Sequence, residues 1–128
     1  MPQESELREL FKLKNVNFDI FEMLYSIVCS ACSNIHFFIE GERVIFRSST
    51  GFLYVWFSNA ADEASRTSPL VVSILSPQRL DSDRFSLVVP CQKGYMHHIS
   101  ITSVDEFDEQ FIGWIKDASA FSRYALAY

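Results

Sequence analysis

The sequence predicts one small α+β domain, with helices near its two ends covering a mostly antiparallel sheet of about five or six strands. Three observations carry this. Apolar residues recur at helical spacing before residue 32 and after residue 104, and at strand spacing between them. Turn residues punctuate the middle of the chain at short intervals. The 128 residues suit one domain, and neither a repeat nor a linker divides them. Residues 1–128 are therefore read as a single domain with its core over about residues 18–123.

In chain order, residues 4–12 form a short helix that places Leu7, Leu10 and Phe11 on one side. Asn17 then caps a longer helix over residues 18–32, because its side-chain oxygen can accept an orphan backbone N–H. That helix carries the stripe Ile20, Phe21, Leu24, Ile27, Val28 and Ala31. Residues 35–39 read as a strand, and Gly41 supplies the turn into a second strand at 43–47. Alternation sets Val44 and Phe46 on one face of it, Arg43 and Arg47 on the other. Residues 52–57 are apolar on both faces, which places that strand inside the sheet. Residues 58–68 are small and polar, a loop. Strands follow at 70–75, at 85–89 with Pro90 ending it, and at 94–101. In the last of these Tyr95, His97, Ile99 and Ile101 share a face that excludes His98. Ser103 and Glu106 have capping-box spacing, so a final helix is predicted from Val104 to about Ala120.

Composition narrows the function classes. Aromatic residues make up 15% of the chain and include 12 Phe, so an aromatic-rich core is expected. A net charge of -5 gives no general attraction for phosphate backbones and argues against nucleic-acid binding. No apolar run approaches the roughly 20 residues that span a bilayer, so no membrane partner is expected. The polar, acidic start is unlike a secretion signal. The 3 cysteines, an odd number, read as reduced thiols of a cytoplasmic protein.

No residue set carries a catalytic signature, and no cofactor or metal is expected: there is no Ser/His/Asp order, nucleophile elbow or phosphate-cradling glycine loop. His97-His98 is the most chemical pair, but adjacent strand residues point to opposite faces and cannot chelate one ion together. Cys29 and Cys32 form a C-x-x-C at the end of a helix, where thioredoxin-like chemistry needs the beginning of one. A zinc site from Cys29, Cys32, Cys91 and one of the two histidines lacks paired local ligands. The acids Asp105, Glu106, Asp108 and Glu109 suit a helix start, and more weakly a hard cation. Phe46, Tyr54, Trp56, Phe57 and Tyr95 fall on neighbouring strands, as core or as the lining of a small-molecule pocket. The apolar tail residues Phe121, Tyr124 and Tyr128 suggest docking onto the domain or a homodimer contact.

The segment Gly94-Tyr95-Met96-His97-His98-Ile99-Ser100-Ile101-Thr102-Ser103, followed by Asp105, Asp108-Glu109, Trp114-Ile115 and Ala118, resembles the end of the domain of unknown function 5655 family. Val44-Ile45-Phe46 after its turn fits the same pattern, and the resemblance covers roughly residues 18–123. The loop before residue 68 lacks the basic run of the family pattern, and Ala118-Ser119 stands where that pattern has Ala-Tyr. The resemblance implies an α+β domain whose strand carries an aromatic-x-His-His type segment, then a short link and an amphipathic helix. It implies little about activity. The "predicted transport protein" label of some members is not carried over, since nothing here spans a membrane. The histidine of the family pattern falls on His98 or His97.

The expectation is thus a non-enzymatic module binding a small molecule or a protein, with homodimer formation through the tail. Its candidate ligand-binding residues are His97, His98, Tyr95, Arg43, Phe46, Arg47 and Trp56. The alternative is a small enzyme using His97 or His98 as acid–base. A weaker one is a frataxin-like metal handler, which rests on fold analogy and the acids at 105–109.

Overall fold

The computed structural model describes residues 1–57 and 69–124, except the Tyr124 side chain. The loop expected at 58–68 lies outside the described residues. Two helices, α1 (Glu4–Lys14) and α2 (Phe18–Ala31), precede six strands: β1 (His36–Glu40), β2 (Arg43–Arg47), β3 (Gly51–Phe57), β4 (Leu70–Ser76), β5 (Leu87–Cys91) and β6 (Gly94–Ile101). A 3-10 turn at Val104–Glu106 leads into α3 (Glu109–Tyr124). The strands form one antiparallel sheet in the order β1-β2-β3-β4-β6-β5. It is an α+β fold. The first four strands run as a meander, but β6 then takes the place beside β4 and leaves β5 on the outside.

Local chemistry explains these boundaries. Asn17 accepts the Asp19 amide at 3.0 Å and starts α2. Gly41 has φ 62° between paired Glu40 and Arg43, a two-residue hairpin with positive φ at its first central position, as a type II′ turn requires. At Gly94, where φ is 144°, an added Cβ would collide with the Ser76 carbonyl, so the β5–β6 turn can lie against the end of β4 only with glycine there.

Boundaries differ from expectation by a few residues at α1, β5 and α3, and two of the differences have a physical reason. Pro90 does not end its strand; it sits inside β5, opposite Tyr95. An edge strand tolerates this because the missing N–H faces away from the ladder. The final helix does not begin at Val104. The box closes as expected, with Ser103 accepting from Asp105 N at 3.3 Å and Glu106 Oε2 accepting from Ser103 N at 3.0 Å, yet it starts only the 3-10 turn. A second cap intervenes: the Asp108 carboxylate accepts the Phe111 amide at 3.0 Å and starts α3.

The core lies on one side of the sheet. α3 rests on β3 and β4 and packs beside α2, with α1 against α2. Phe21 of α2 meets Phe46 at 6.1 Å between ring centroids, and Phe11 of α1 meets Phe57 at 5.0 Å. Leu7, Phe11, Phe21, Phe46, Phe52 and Phe111 are fully enclosed, so the aromatic content serves the interior. Among the described residues no helix is long and apolar enough to cross a membrane.

Candidate functional site

Register sorts the candidate residues onto two faces. Phe46, Leu53, Ile74, His97 and Val88 are paired in turn across β2 to β5 on the helix side. The neighbouring row runs Phe38, Ile45, Tyr54, Ser73, His98, Leu87 on the opposite side, away from the helices. Arg43, Arg47 and Trp56 alternate onto that same open face. The aromatic set Phe46, Tyr54, Trp56, Phe57 and Tyr95 is therefore not brought together: Phe46 and Phe57 pack into the core, while Tyr54 and Trp56 face outward.

His97 is fully buried, and both ring nitrogens are used. Nε2 accepts from the Leu80 amide at 2.9 Å, which assigns the proton to Nδ1, and Nδ1 donates to the Ile74 carbonyl at 3.2 Å. The Phe85 ring lies 4.8 Å away. Burial lowers the His97 pKa, partly opposed by the Ile74 hydrogen bond. The geometry is that of a neutral histidine pinning the connection between β4 and β5. His98 faces the other way, its Nδ1 2.5 Å from Ser73 Oγ, and its pKa is also lowered by burial and then by His97. A serine beside an imidazole resembles a nucleophile–base pair, but Ser73 is fully buried and has no exposed oxygen to attack with. Tyr95 is half-buried near the start of β6, opposite Ser76 and Pro90.

The outward candidates do converge. The Arg43 guanidinium lies over Trp56 at 5.0 Å and Tyr54 at 5.7 Å, and donates to Glu40. It stands between two depressions. One, of about 470 Å³, runs along the open face over Phe38, Ile45, Arg47 and Tyr54. The other, of about 250 Å³, lies at the hairpin end against Lys14, Glu42, Trp56 and Phe57. Arg47 donates to the Ser49 carbonyl at 3.0 Å and has no carboxylate partner among the described residues. Burial raises the Tyr54 phenol pKa, and Arg43 pulls it partly back. Tyr54 leans over Gly51, where an added Cβ would lie 2.5 Å from its hydroxyl, so glycine there sets the tilt of the ring.

Other candidates resolve into structure. Among the described residues no three His, Cys, Asp or Glu side chains gather as a metal set. Glu106 is taken up by Thr102 and Ser103, and Asp108 by Phe111 and Arg84. Backbone bonding from Phe111, and then Arg84, hold the Asp108 carboxyl below its usual range. Cys29 and Cys91 are exposed, and Cys32 is half-buried with a thiol pushed up by burial. In the tail Phe121 is half-buried; the Tyr124 side chain and Tyr128 lie outside the described residues.

Sequence reasoning missed Phe38 and Ile45 as parts of this surface. Alternation alone could assign their face, but only the β1–β2–β3 register puts them beside Tyr54 and between the two arginines. No family model matches this chain, and no curated protein or solved structure matches it either.

Proposed function

We propose that this domain is a non-enzymatic binding module whose open sheet face holds a small ligand with an apolar body and negatively charged groups. The observation that carries this is Arg43, stacked on Trp56 and Tyr54, on the same face as an Arg47 that no described carboxylate neutralises. Arginine suits planar carboxylate or phosphate groups, and stacking on rings keeps its fork oriented. The two arginines are four strand residues apart, about 13 Å along β2, with Ile45 as an apolar floor between them. Glu40 on the same face already pairs with Arg43, so the unpaired positive charge that the face offers a ligand is that of Arg47. Membership of the domain of unknown function 5655 family belongs to the same proposal, supported by the Gly94–Ser103 segment. So does a cytoplasmic location, supported by three free thiols.

Trp56 gives a direct readout. Its fluorescence should change on titration with phthalate or another aromatic dicarboxylate, and the change should vanish in Arg43→Gln/Arg47→Gln. Equal responses from the double variant and the parent chain would refute the reading.

A further inference from the structure

The two outer strands of the sheet are not equivalent. Each ends in a tight hairpin whose closing pair, Glu40–Arg43 for β1 and Cys91–Gly94 for β5, fixes which backbone groups point outward. On β5 the outward positions are Val88 and Pro90, and proline there has no N–H to offer another strand. On β1 they are Phe37 and Ile39, both with free N–H and C=O groups. Among the described residues nothing bonds to that side of β1. The strand reads His-Phe-Phe-Ile-Glu, without proline, glycine, lysine or a bulge to blunt it.

The same five residues are complementary to themselves. Laid antiparallel on a copy of itself about Phe38, the strand sets His36 opposite Glu40 at both ends and Phe38 opposite Phe38 at the centre. Phe37 and Ile39 then exchange their outward backbone bonds. Arg47, without a carboxylate partner among the described residues, already lies opposite His36 on β2, so the incoming Glu40, which arrives paired with its own Arg43, has a second guanidinium beside its place. The layer beneath agrees. An apolar hollow of about 420 Å³ flanks one end of β1, between Leu10, Leu13 and Ile39, and Leu13 is 79% exposed. A second hollow, of about 150 Å³, flanks the other end, beside Pro2, Tyr25, Ile35 and Phe37. A two-fold axis at Phe38 brings the first hollow of one copy toward the second hollow of the other. The acids Glu6 and Glu9 on the rim of the first then face a lining with no acid in it.

We propose that β1 pairs antiparallel with β1 of a second copy of this chain, joining two sheets into one across a two-fold axis at Phe38. The occupant is a second copy rather than a foreign strand because the charge pattern answers itself. The blunted β5 edge stops further growth, so the product is a closed dimer. Phe38 also lines the depression beside Arg43, so each copy would supply the outer wall of the other's depression. The pairing does not depend on any ligand there.

A cysteine at the axis tests the register directly. Opposed residues of a non-hydrogen-bonded pair have Cα atoms about 4.5 Å apart, within the span of a disulfide. In a Cys29→Ser/Cys91→Ser background, Phe38→Cys should form a covalent dimer on mild oxidation, whereas Asp117→Cys, at an exposed position of α3, should not. Sedimentation of the unsubstituted chain from low micromolar to near-millimolar concentration should show a dimer. Phe38→Lys, which sets like charges on the axis, and Ile39→Pro, which removes an outward N–H, should each return it to monomer with unchanged circular dichroism. A chain that stays monomeric throughout overturns the proposal. So does a dimer that survives both substitutions and does not cross-link at residue 38. Ligand response in the Arg43 and Arg47 variants is read separately, so either proposal can fail alone.

Discussion

The backbone amide of Leu80 donates to Nε2 of His97, which ties the β4–β5 connection to the buried face of β6. An imidazole that accepts there cannot be protonated without losing the bond. The folded state therefore lowers the His97 pKa below its ordinary 6.5, chiefly through burial. A lowered histidine pKa gives stability that is fully present above the unfolded value and is lost as pH falls through the folded one. His98 acts in the same sense. The denaturation midpoint should be flat from pH 8 to about 7 and then decline as pH drops below about 6.5. His97→Phe should lower stability at neutral pH by about 1–3 kcal/mol by orphaning the Leu80 amide, and should flatten the decline. A decline of unchanged slope in that variant would assign it to other groups.

Ser122 on α3 is fully buried against the turn between β2 and β3. Its hydroxyl oxygen accepts the Thr50 amide at 3.1 Å, while its proton goes to the Thr50 carbonyl at 2.5 Å. Ser122→Ala leaves the Thr50 amide unpaired, while the Thr50 carbonyl keeps the Ser48 amide at 3.1 Å, and should cost about 1–3 kcal/mol in urea denaturation. Ser100→Ala, on the exposed side of β6, should change the midpoint by no more than about 0.5 kcal/mol.

Arg84 joins the β4–β5 connection to the start of α3. It donates to Asp108 Oδ1 at 2.9 Å, to Gln110 at 3.1 Å and to the Glu106 carbonyl at 2.7 Å, and lies 5.4 Å over Trp114. Arg84→Lys keeps the charge but not the fork, and should lower the melting temperature nearly as much as Arg84→Ala. Thermal melts of the two variants compare them directly; a lysine variant as stable as the parent would show that charge alone matters.

The thiols should differ in rate. Burial raises the Cys32 pKa, while Cys29 and Cys91 are exposed. A thiol-reactive disulfide reagent at pH 8 should label two cysteines quickly and Cys32 slowly, with Cys32 gaining most as pH rises. Mass mapping of the labelled peptides over time checks the order.

Much of this architecture was legible because single residues speak for it. Asn17, Gly41 and the Ser103–Glu106 box each act within one turn, so spacing alone reveals them. The alternation of His97 against His98 and of Val44 against Arg43 likewise needs only period two. What stayed hidden depends on contacts far apart in the chain. Nothing local says that β6 displaces β5 beside β4, and Pro90 reads as a stop until β5 is known to be an edge. Asp108 was visible as an acid near a helix start, but not as a second cap, because the box five residues earlier explained the same signal. The arginine surface followed the same rule: its residues were visible, and their grouping with Phe38, Ile45 and Tyr54 required the register.

The position of β5 has a dynamic consequence. Among the described residues it pairs only with β6, whereas β4 is gripped on both sides by β3 and β6. Leu87 and Val89 project onto the open face, exposed to 57% and 37%. Opening β5 therefore breaks one ladder and uncovers little that was dry, while opening β4 requires the whole sheet to part. Amide deuteration should reveal a gradient across the six strands: the β6 amides that bond to β5 exchange through a local flap motion, and those of β3 and β4 only through global unfolding.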